Sequence, residues 1–173
     1  VNCVSYTLLF VALAREEGID ARFAEVEIPP VWNMGDDVTF LLYRHVNARV
    51  ETSPTAFQVV DISGEGYDPR FDQETISDAA AEAQFYNNRA VELRLQHRER
   101  DALVYQIAAL KLDPGLGFLW TNLASLYLLD GNLRGARIAV TRALTLDADS
   151  TMSDATAAQI YRQLGDVQLA DWF

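Results

Sequence analysis

Cysteine is almost missing from this 173-residue chain: Cys3 stands alone. A single thiol excludes an internal disulfide and argues against a cysteine-based metal site. Histidine is nearly as scarce, with only His45 and His97, which argues equally against a structural zinc site. There is no 12-residue loop of alternating oxygen ligands of the kind that holds calcium. The expectation is therefore of no metal and no cofactor. Long apolar runs are also lacking. The longest, Tyr6 to Ala14, is broken by Thr7 and closed by Arg15-Glu16-Glu17, well short of the ~20 residues of a membrane span. Positive charge is in short supply, with 14 basic against 25 acidic residues and a net charge of −11. Such a balance argues against nucleic acid or an anionic membrane as the main partner. No charged segment leads into a small-residue cleavage site, so no signal peptide is visible and the compartment, cytoplasm or cell envelope, stays open.

What the chain does have is enough apolar material, half of its residues, for one ordinary domain or two small ones. From Val4 to Glu17 apolar residues recur at helical spacing, and Gly18 suits the left-handed position just past a helix end. The apolar content of this helix reads as that of a buried one. Ala24, Val26 and Ile28 alternate with Phe23, Glu25 and Glu27 at the period of a strand, which Pro29-Pro30 ends. Val38 to Val50 and Phe57 to Ile62 are two further strand candidates around a turn at Thr52-Ser53-Pro54. A hairpin centred near Ser53 sets His45 opposite Asp61 on one face, within reach of a carboxylate–imidazole hydrogen bond. Ser63 to Thr75 reads as a connection containing Gly, Asp and Pro.

From Asp78 onward the chain repeats itself every 34 residues. Tyr86 pairs with Trp120, Ala90 with Ala124, Leu93 with Tyr127 and Ala109 with Ala143, while Ala102, Ala136 and Ala170 continue one series. Leu112-Asp113 and Leu146-Asp147 close successive units. These offsets, a bulky aromatic, a small residue, another large one and then small residues in a second helix, resemble the tetratricopeptide repeat. Two full units fit at 83–116 and 117–150, with a partial third at 151–173. Tyr86, Trp120, Tyr127 and Tyr161 follow the repeat and read as packing residues. His97 falls in the turn of the first unit and reads as a solvated turn residue.

Cys3 begins a helix, and a helix N-terminus together with a nearby imidazolium favours the thiolate, lowering a cysteine pKa from about 8.5 to between about 3.5 and 7.5. Histidine then serves as base and acid, the carboxylate fixes its tautomer, and N–H groups of the first helical turn stabilise an oxyanion. Cys3, His45 and Asp61 supply these parts in the order Cys…His…Asp. Taken singly, each has a plainer reading: a small buried residue, a strand histidine and a strand-end aspartate. Their weight comes from the set.

Asn2-Cys3, the helix through Leu13-Ala14-Arg15-Glu16-Glu17-Gly18-Ile19-Asp20-Ala21-Arg22, then Arg44-His45-Val46-Asn47 and Val59-Val60-Asp61 resemble the transglutaminase-like superfamily, a branch of the papain-like fold. The resemblance covers roughly residues 1–70, and the combination is similar to bacterial proteins that join such a domain to tetratricopeptide repeats. It implies an α+β papain-like (transglutaminase-like) core over 1–75 followed by an all-α tetratricopeptide helical array over 76–173. It further implies acyl transfer on a protein or peptide amide through a thioester on Cys3, with water or an amine as acceptor, and repeats that bind the substrate or a partner protein. Two departures stand out. Many relatives carry an aromatic where this chain has Asn47, and the family places a helix before the cysteine, so the sequence is expected to be a piece of a longer protein. The alternative is a non-catalytic adaptor in which the first domain is a degenerate scaffold and the repeats do the binding. Oligomerisation stays open.

Overall fold

The structure, a computed structural model, describes residues 3–26, 45–53, 55–61, 67–68 and 70–173. Helix α1 spans Cys3–Glu16. Its buried positions, Val4, Thr7, Val11 and Ala14, fall three and four apart and so line one stripe of the helix. Gly18 ends it at φ +75°, and the Ile19 N–H reaches back to the Ala14 carbonyl over 2.9 Å. The opposite side of α1 leaves Tyr6, Leu9 and Leu13 exposed, so the expected buried helix is buried on one stripe only.

Four strands follow: β1 (Ala21–Val26), β2 (His45–Ser53), β3 (Ala56–Val60) and β4 (Gln73–Ile76). They form an antiparallel sheet in the order β3-β2-β1-β4. Ala21, Phe23, Val46 and Ala48 face α1 and pack with Val4, Val11 and Ala14. Ala24 and Val26 are buried on the other face, so central β1 is covered on both sides. This is why its residues do not divide into one apolar and one polar row.

Ser77 alone separates β4 from α2 (Asp78–Leu95), its hydroxyl accepting the Ala80 N–H at 3.1 Å. Helices α3 (Glu99–Leu112), α4 (Gly117–Leu129), α5 (Leu133–Leu146), α6 (Thr151–Gln163) and the single turn α7 (Val167–Ala170) complete the chain. They make three helical pairs whose boundaries recur at 34 residues: α2, α4 and α6 end at 95, 129 and 163, and α3, α5 and α7 begin at 99, 133 and 167. Ala102, Ala136 and Ala170 are all buried, letting paired helices approach closely. Tyr86, Trp120, Tyr127 and Tyr161 pack around the core of Leu119, Leu123, Val140 and Ile160. The turns repeat too, with left-handed backbone at His97 (φ +58°), Gly131 (φ +75°) and Gly165 (φ +80°).

The architecture corrects the expected fold class. The chain is 61% helical with one small four-stranded antiparallel sheet and seven helices among the described residues, too little for a papain-like core together with a full tetratricopeptide array. Hydrophobic period reports how a segment packs; it does not report how many further segments a layer contains. Two elements also differ in detail. Residues 73–76, expected in a connection, form edge strand β4, whose Gln-Glu-Thr-Ile carries no apolar alternation to announce it. The β2–β3 register pairs Ala48 with Val60 and Arg49 with Val59, two residues away from a hairpin centred near Ser53, with an irregularity between Glu51 and Ser53. The expected strand residues 27–28, 38–44 and 62 lie outside the described residues.

Candidate functional site

Cys3 is the first residue of α1; its side chain lies outside the described residues. Two side-chain bonds fix where that helix end sits. Thr7 Oγ1 donates to the Val46 carbonyl at 3.0 Å, and Arg15 Nε donates to the Ala21 carbonyl at 2.9 Å, where Ala21 pairs with Val50. Helix α1 therefore runs alongside β2 in the same direction. Four residues back from Thr7, at ~1.5 Å rise each, carry the Cys3 backbone ~6 Å past Val46, toward the His45 end of the strand. The Glu51 N–H donates to Asp20, on the β1 side. Alternation then turns the backbone of Val46 toward the β3 side.

His45 opens β2, and Asp61 directly follows β3. His45 Nε2 meets the Asp61 carboxylate, with the two side chains only 9% and 7% exposed. Continuing the observed register sets Asn47 level with Asp61 and His45 on the diagonal. A two-residue shift keeps every side chain on its face, so the pair forms despite the different register. The Tyr67 ring stacks on His45 with centroids 6.2 Å apart and planes 24° apart. Gln73 Nε2 donates to the Tyr67 hydroxyl at 2.9 Å, and Asn47 Nδ2 donates to Gln73 Oε1 at 3.2 Å. Asn47 is fully buried, and its Oδ1 has no hydrogen-bond partner among the described residues. Val26 is the β1 partner of His45 and lies on the sheet face away from α1, so Tyr67 and Gln73 brace the histidine there, while Thr7 anchors the cysteine helix on the opposite face. None of these three was legible as a site residue; the one signal was Asn47, polar where an aromatic was expected.

The arrangement can hold an imidazole in one orientation and one tautomer. With Nε2 engaged by the carboxylate, Nδ1 is the nitrogen through which His45 would exchange a proton with a thiol. At the far end of α1, Arg15 makes a two-pronged bond to Asp78 (2.6 and 3.0 Å), tying this helix to the start of α2. The Arg15 hydrogen bond holds the Asp78 carboxyl below its ordinary range, and Asp78 in turn raises the Arg15 guanidinium. Among the described residues no three His, Cys, Asp or Glu side chains gather as a metal would need, and no helix is long and apolar enough to cross a membrane. No protein-family model matches the chain, and no curated protein matches it.

Proposed function

We propose that the chain carries a cysteine-dependent acyl transfer or hydrolysis site for a protein or peptide amide, with the helical pairs binding the substrate or a partner. The observation that supports it is the buried His45–Asp61 contact at the end of the strand along which the Cys3 helix runs. Cys3 is the nucleophile, His45 the base and acid, and Asp61 the group that orients the imidazole and stabilises its charged form. His45 takes the thiol proton as sulfur bonds to the carbonyl carbon, and gives that proton to the departing amine as the C–N bond breaks. A thioester remains. Water or a second amine then attacks it, losing a proton to His45, which returns it to the sulfur as the thiolate leaves. N–H groups of the first turn of α1, which contains no acidic residue, stabilise the developing oxyanion.

As the only cysteine, Cys3 gives an unambiguous readout. The test is its iodoacetamide alkylation rate against pH in the wild-type chain and in His45→Ala. An apparent pKa well below ~8.5 that returns toward that value in the variant supports the reading; identical profiles reject it. The second reading, a binding protein without catalysis, draws on Asn47, whose buried amide stands where relatives of the resembled superfamily carry an aromatic. Partner capture that depends on the helical pairs and ignores Cys3→Ala, beside an ordinary thiol, would favour that reading.

A further inference from the structure

A row of large apolar side chains is left uncovered on the helical pairs. Val104 on α3, Ile138 on α5 and Trp172 just after α7 stand 34 residues apart and are 66%, 59% and 77% exposed. Helix boundaries recur at that interval, so the three occupy equivalent places on successive pairs. A single exposed apolar residue needs no explanation, but the same outward position filled by Val, Ile and Trp in three units makes a patterned surface.

Beside Val104 and Ile138 the charge opposes that of the whole molecule, whereas Trp172 stands next to Asp171. Helices α3 and α5 carry Arg100, Lys111, Arg134, Arg137 and Arg142 against only Glu99 and Asp101. Glu99 is engaged by Arg94 at 3.7 Å, and Asp101, three residues before Val104, by Arg98 at 2.6 Å. None of the five cations forms an ion pair among the described residues, whereas Arg15, Arg22, Arg49, Arg70 and Arg89 are all paired. Arg100 and Arg134 each lie four residues before the apolar member of their helix and so flank it on the same face.

We propose that the outer face of α3 and α5 docks an acidic segment of another protein, seating apolar side chains on Val104 and Ile138 and carboxylates on Arg100, Arg134 and Arg142. Charge complementarity selects this occupant. An unpaired guanidinium offers a planar fork that carboxylates match, and the net charge of −11 repels acidic chains from the rest of the surface. The same net charge opposes an anionic bilayer and a second copy of this chain. The inference does not depend on the cysteine chemistry.

The test uses the full chain and a labelled helical peptide of roughly 20 residues with Leu on one face and Glu flanking it, against the same peptide with Lys for Glu. Anisotropy should show salt-sensitive binding of the acidic peptide alone. Ile138→Asp, and separately Arg134→Glu with Arg142→Glu, should each weaken it about tenfold or more, with thermal melts unchanged because the positions are exposed. Equal binding of both peptides, affinity untouched by either variant, binding only to vesicles containing phosphatidylserine, or a mass that doubles with concentration would each overturn the proposal.

Discussion

Asn122 Nδ2 donates to Asn87 Oδ1 at 2.7 Å between α4 and α2, and both side chains are fully buried. This bond joins the first helical pair to the second through the core, and a double-mutant cycle measures its contribution. Asn122→Leu keeps the branched shape with bulkier methyl ends but withdraws this donor from Asn87, and a buried acceptor that loses a donor costs about 1–3 kcal/mol. Asn87→Leu removes the other partner and also the 3.3 Å bond from Asn87 Nδ2 to Asn88 Oδ1. With both replaced, the two leucines meet each other, and the double variant should be more stable than the summed losses predict by about 1–3 kcal/mol. With an m-value of about 2 kcal/mol/M, a loss of 2 kcal/mol lowers the urea midpoint by about 1 M, which chemical denaturation resolves readily. Strict additivity of the two losses, within about 0.5 kcal/mol at unchanged m, would refute the assignment of coupling to this bond.

Three further outcomes follow from features described above. His97 holds a left-handed turn that glycine fills in the next two units, so His97→Gly should relieve about 1 kcal/mol of backbone cost, lose about half of that to chain entropy, and raise Tm by about 1–2 °C; Gly131→Ala should lower it, and calorimetry checks both. Asp78 has its carboxyl depressed below 3.8 by Arg15, so its stabilisation is present above the unfolded value and lost as pH falls through the folded one. Because the pair is largely exposed, Asp78→Asn should cost under about 1 kcal/mol at neutral pH and progressively less as pH falls below the ordinary carboxylate range, a difference that denaturation at several pH values would reveal. Gln73→Leu removes the donor that fixes Tyr67 against His45; the Cys3 alkylation profile should shift toward that of His45→Ala, with Gln73→Glu, which keeps the packing and the acceptor for Asn47, withdrawing only the Nε2 donor to Tyr67.

Local pattern carried much of this architecture in the sequence. The α1 stripe, Gly18 and the 34-residue recurrence of small and aromatic residues all encode contacts between positions close in the chain, so spacing alone displays them. His45 and Asp61 were legible as partners because alternation preserves the face even when the register moves by two. The remaining features depend on contacts that spacing does not encode. Strand β4 exists because the outer edge of β1 offers unpaired N–H and C=O groups to Gln73–Ile76, not because those residues favour a strand. Tyr67 and Gln73 sit outside any periodic segment and meet His45 and Asn47 only once the sheet is closed. The number of strands and helices in the fold, on which the expected class failed, is a property of the whole assembly.

Strand β4 also makes the two halves of the molecule mechanically inseparable. It pairs with β1 on one side and, through Ser77 alone, continues into α2 on the other. Any event that pulls α2 loose tugs an edge strand off the sheet, bares the backbone of β1 and removes Gln73 from the stack behind His45. Severing the chain between Thr75 and Ile76 would not yield two modules; it would leave the sheet without the Ile76 that packs on its core. Grip on the helices by a partner would therefore be felt at the imidazole as rigidity, transmitted along four residues.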